Sequence, residues 1–242
     1  MAPMNAQGSR SGERGMTVME MLLVLALVAL FLGMALPNFR DVRVRNDEAA
    51  AEATLREIAK AQEIFRRAAL VDEDGDGHGE YALLGDLAGK SPSRGRAVAI
   101  QTPLPQLSLL LNAEGEADLC GYRIRLLMAG PKGAGVRENA SGPAEKLDPK
   151  LAGSFWCAYA WPLRREGFLP AATGKRTYFI NQSGIVLAAD GDYHALPIAE
   201  GGETRAPEPG AAFTGPGPAG SITGAPALGT VGRDGLVWRV VE

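Results

Sequence analysis

Gly15-Met16-Thr17-Val18-Met19-Glu20 opens a long apolar run, residues 21–36, that closes at Pro37-Asn38-Phe39. Between Met16 and Phe39 the single formally charged side chain is Glu20. The run is rich in Leu, Ala and Met, which favour helix. Residues 16–36 amount to about the 20 residues that a helix needs to cross the hydrocarbon core of a bilayer. A carboxylate at the centre of a membrane costs about 2.5–3.5 kcal/mol on insertion scales. Such a group persists where something pairs with it, so Glu20 predicts a partner.

The order of features before the run is informative. A secretory signal places its small cleavage residue after the apolar stretch, whereas here Gly15 precedes it. The polar leader, residues 1–15, carries Arg10, Glu13 and Arg14. Its two arginines would stay on the cytoplasmic side and put everything after Pro37 outside. A cut after Gly15 would leave a cationic amine on Met16, one helical turn before Glu20. The two groups would lie about 6 Å apart along the axis, on one face.

This block closely resembles the class III leader of type IV pilins and of the pseudopilins of type II secretion systems. The resemblance ends near Phe39. It implies that a prepilin peptidase cuts after Gly15 and that Met16 becomes the new, commonly N-methylated, first residue. It also implies that Glu20 pairs with an amine to set the register between packed subunits, and that Pro37 kinks the helix. Met16 stands where the family more often has phenylalanine. The function so implied is a subunit that self-associates into a pilus-like or pseudopilus filament. Its partners would be the peptidase, the assembly platform of a secretion or pilus machine, and the inner membrane. Localisation would be a single pass of that membrane with an extracytoplasmic carboxy-terminal domain.

After Pro37 the chain becomes charged and stays helical in pattern. Ala51, Leu55, Ile58, Ala61, Phe65 and Ala68 recur at spacings of three and four, one apolar stripe suited to a domain core. Glu52 with Arg56, and Glu63 with Arg67, stand four apart in the favourable order. The segments expected are therefore a membrane and assembly half-helix at 16–36, an amphipathic half at 37–69, and a β-rich domain at 70–242. Strand patterns occupy 121–129, 155–163, 177–181, 184–188 and 235–241, with Asn181-Gln182-Ser183-Gly184 as a tight turn. The aromatic cluster at 155–162 reads as a core strand. Residues 206–229, dominated by Pro, Gly and Ala, predict a flexible surface loop, and 129–150 predicts another. The fold class expected is α+β: a long amino-terminal helix, transmembrane in its first half, packed on an antiparallel sheet. That is also the pilin-like layout the resemblance implies.

Two cysteines, Cys120 and Cys157, would form one bridge in an oxidising compartment or remain buried thiols. Asp72-Glu73-Asp74-Gly75-Asp76-Gly77-His78-Gly79-Glu80 is the candidate metal loop. Asp72, Asp74 and Asp76 follow the first half of a calcium loop. Position twelve is Leu83 instead of glutamate, so Glu80, or the carbonyl of His78, would have to complete the shell. The alternative is a polar turn that ends the helix without an ion. Asp190-Gly191-Asp192 is a second, weaker acidic turn.

Catalysis is not expected. The two histidines, His78 and His194, join no nucleophile arrangement or zinc spacing, and no glycine loop suits phosphate. A formal net charge of −3, mildly acidic with or without the leader, excludes a nucleic-acid face. A monomeric, membrane-tethered domain that uses calcium for its fold is the other reading. Glu20 and a cuttable Gly15 have no use in such a tether.

Overall fold

A computed structural model describes residues 16–90, 94, 104–164, 172–189, 204–215, 217–218 and 220–241; for 32–38 it describes the helix alone. The chain divides into two compact units, Met1–Val42 and Arg43–Glu242. Helix α1 spans Val18–Arg67 and is assigned without a break across Pro37.

The expected fold class needs correction. The described residues form one antiparallel sheet of nine strands with few helices. Among them no helix is long and apolar enough to cross a membrane. The strands are β1 (Ala117–Leu119), β2 (Tyr122–Ala129), β3 (Gly135–Asn139), β4 (Gly142–Pro143), β5 (Trp156–Pro162), β6 (Thr177–Asn181), β7 (Leu187–Ala189), β8 (Thr230–Val231) and β9 (Val237–Val240). Their order is β4-β3-β2-β5-β6-β7-β9-β8, with β1 also paired to β2. Two short helices complete the unit, α2 (Leu84–Ala88) and α3 (Pro149–Ala152).

Strand β5 shows why the sheet is central. Its seven residues are all buried, and a strand apolar on both sides must be covered on both faces. Trp156, Ala158 and Ala160 join Tyr122, Ile124, Leu126, Met128, Tyr178 and Ile180 in one cluster. The stripe Ala51, Leu55, Ile58, Ala61 and Phe65 of α1 closes that cluster, each at 2 % exposure or less. Ala68, counted in the expected stripe, is exposed because the helix ends at Arg67. The intrahelical pairs form as the spacing predicts, Glu52–Arg56 at 2.8 Å and Glu63–Arg67 at 2.7 Å.

Cys157, Tyr159 and Trp161 point to the opposite face with Leu127, Phe179, Leu187 and Trp238. The described residues of 206–229 cover that face, so packed structure stands where a flexible loop is expected. Ala211, Ala212, Phe213, Ile222 and Ala227 are buried there. The Tyr159 hydroxyl donates to the Pro209 carbonyl at 3.0 Å and accepts from the Ala212 amide at 3.1 Å. Small residues let the backbone approach closely: a Cβ on Gly135 would meet Ile222 Cγ2 and Pro209 Cβ at 2.8 Å. The other expected loop, 129–150, contains β3, β4 and the start of α3.

The cysteines stay apart. Cys120 and Gly121 are a two-residue hairpin turn between Leu119 and Tyr122, both with positive φ, +47° and +74°, as a type I′ turn requires. Register pairs Tyr122 with Pro162 and Leu127 with Cys157. Five strand residues therefore separate the two levels, about 17 Å, far beyond disulfide reach. Both thiols are free, Cys120 exposed and Cys157 buried, and burial pushes the Cys157 thiol well up. The expected bridge is not formed.

Candidate functional site

At the start of α1, Thr17 and Glu20 make a reciprocal cap. The Thr17 amide and hydroxyl donate to Glu20 Oε2 at 2.8 and 3.0 Å, and the Glu20 amide donates to Thr17 Oγ1 at 3.3 Å. This satisfies donors that a helix start leaves unpaired. The spacing Thr17-Val18-Met19-Glu20 is itself a capping-box signature, legible in the sequence.

Beyond the cap, apolar side chains are open to solvent on successive positions and hence on every face of the helix. Val18 and Met19 are 78 % exposed, Leu23 63 % and Phe31 69 %. A patch this contiguous marks a surface that is covered in the working state of a protein. Met16 is exposed and Pro37 lies inside the span of α1. Gly15 and the leader lie outside the described residues, as do Asp190-Gly191-Asp192 and His194.

The acidic loop follows α1. Carboxyl oxygens of Asp72, Asp74 and Asp76 lie within 4.8 Å of one another. The remaining expected ligands do not join them. Glu80 is 1 % exposed and turns inward, accepting from the Glu73 amide at 2.8 Å and from Arg94 Nη1 at 2.5 Å. His78 contributes its amide to Asp76 Oδ1 at 2.7 Å. Calcium takes six to eight oxygens, and the three aspartates supply only part of such a shell. They also accept backbone amides of their own loop: Gly75 and Gly77 donate to Asp72 at 2.8 and 3.1 Å, and Asp76 donates to Asp74 at 3.3 Å. These side-chain turns account for the Asp–Gly spacing without an ion. Arg94, which organises the inner end of the loop, has no local sequence signature and was not anticipated.

Set beside known protein families, curated proteins and solved structures, the chain matches none.

Proposed function

We propose that this chain is a filament subunit of the type IV pilin or type II secretion pseudopilin kind. A prepilin peptidase would cut it after Gly15, and the assembly platform of such a machine would join its copies through the amino-terminal part of α1. The observation that supports this most is the exposed apolar surface of residues 16–31. Burying one such Leu, Val or Met side chain gains about 1.5–3 kcal/mol, and copies of the same helix offer an apolar counterpart. Contacts repeated head-to-tail between identical chains generate an open helical filament.

Within that reading, cleavage supplies the amine that Glu20 needs and leaves Thr17 free to hold the carboxylate in place. The competing reading, one chain held at a lipid surface by the same side chains, gives Glu20 no task beyond capping its own helix.

The test combines two variants. Gly15→Ala should abolish the mobility shift that marks processing. Glu20→Gln keeps a capping-box residue but removes the charge, and it should be processed normally while yielding few filaments. Wild-type filament yield from Glu20→Gln would overturn the proposed pairing, and a processed Gly15→Ala product would overturn the cleavage site.

A further inference from the structure

Between α1 and the turn that joins β6 to β7 lies a cavity of about 400 Å³, within the size range of small-ligand sites. Its floor is aromatic: Tyr81 and Trp156 line it, both buried, with ring centroids 6.0 Å apart. One face of α1 contributes Arg56, Lys60 and Glu63, and the turn contributes Gln182. All of these residues belong to the unit Arg43–Glu242, so binding here does not require assembly.

The groups left unspent in this cavity are donors. Trp156 is 1 % exposed, and its buried Nε1 has no hydrogen-bond partner among the described residues. The Tyr81 hydroxyl neighbours it without the geometry of a hydrogen bond. A buried indole N–H usually finds an acceptor, and leaving it without one is costly.

The charges lean the same way. Glu63 is engaged by Arg67 at 2.7 Å and faces Arg66 at 3.6 Å, and Arg56 holds Glu52 at 2.8 Å. Lys60 is exposed and has no ionic partner among the described residues. Arg56, Lys60, Arg66 and Arg67 therefore stand against Glu52 and Glu63 alone, an excess of positive charge that disfavours a cation and favours an anion.

We propose that this cavity binds a carboxylate carried on an apolar body. The apolar part packs against Tyr81 and Trp156. The carboxylate accepts from Trp156 Nε1 and pairs with Lys60, a charge-assisted contact at each oxygen. One indole N–H and one free ammonium suit two carboxylate oxygens better than the larger shell of a phosphate.

The experiment titrates phenylacetate into the full-length chain held in detergent, read by calorimetry, with uncharged phenylacetamide as the matched control. Phenylacetate should bind saturably at one site per chain, and phenylacetamide at least about tenfold more weakly, the loss expected for one charge-assisted contact. Lys60→Met should weaken phenylacetate by a similar factor, and Lys60→Arg should restore most of it. Trp156→Phe keeps an aromatic floor without the donor and should weaken it comparably; Lys60→Met, at an exposed position, decides the matter if Trp156→Phe does not fold. No saturable binding, equal binding of the amide, or wild-type affinity in Lys60→Met or a folded Trp156→Phe overturns the proposal. A short peptide ending in phenylalanine separates the two sources of such a carboxylate. Tighter binding than phenylacetate, lost when the terminus is amidated, assigns the site to a chain end, and weaker binding assigns it to a free acid.

Discussion

At the scale of single residues, the cap that Glu20 makes and the pairing proposed for it can be separated by a change of side chain. Its carboxylate caps the helix start with Thr17, a role that needs an acceptor and not a net charge. Pairing with an amine on a neighbouring chain needs the charge. Thr17→Ala removes the hydroxyl partner and leaves the carboxylate, so helix content near residue 17 should fall slightly in circular dichroism or amide exchange while filament yield persists. Loss of filaments in Thr17→Ala equal to that in Glu20→Gln would mean that the cap, and not the charge, carries assembly. Cys157 gives the opposite lesson about single residues. Its place near the start of β5, buried and paired with Leu127 and Asn181, makes it a packing residue, and burial favours its protonated thiol.

At the scale of elements, the informative case is 206–229. Composition reads it as a loop, because Gly, Pro and Ala carry no period of helix or strand. Its buried members lie on the face of the sheet away from α1, with Phe213 edge-on to Phe179 at 5.2 Å between ring centroids. The segment is tied down by backbone bonds to its own length, such as Ala227 to Ala212 at 2.8 Å, and to 133–135 through Gly135 and Ile222. Arg233 holds its tip by donating to the carbonyls of Gly215, Pro218 and Ser221. Phe213→Ala should therefore cost about 3–5 kcal/mol, read as a lower denaturant midpoint of a single cooperative transition. A midpoint within about 0.5 kcal/mol of wild type, the size of an ordinary surface change, would mean that the segment is not part of the core.

At the scale of the whole molecule, the two compact units make separable demands on solvent. The unit Arg43–Glu242 has a sheet covered on both faces and buries its large aromatic side chains. The described residues of Met1–Val42 bury none of their large apolar side chains. A chain beginning at Arg43 should fold cooperatively and sediment as a monomer, whereas the chain from Met16 should associate unless detergent covers it. Association of the shorter chain to the same degree would move the self-contact into the sheet unit.

Local physics made much of this legible in advance. The stripe Leu55, Ile58, Phe65 has the helical period, so its burial follows from spacing. β2 and β6 lie where alternation and β-branched or aromatic residues put them, while β7 starts at Leu187 because the turn from Asn181 is longer than expected, with Gly184 bonding back to the Asn181 carbonyl. Asp72, Asp74 and Asp76, spaced two apart beside Gly75 and Gly77, converge. Short strands such as β1, β4 and β8 carry too few residues to show a period. Their pairing is set by neighbours far along the chain.

Sequence alone determined where charge is absent from the first part of α1, where helix and long strands begin, and which residues could meet by local spacing, because those depend on chemistry a few residues apart. Tertiary structure alone decided that the cysteines sit at different levels of the sheet, that Glu80 belongs to Arg94 instead of the aspartates, and that a Pro- and Gly-rich stretch becomes the second cover of the core. Those outcomes turn on which distant surfaces exclude water together, and no local period encodes that.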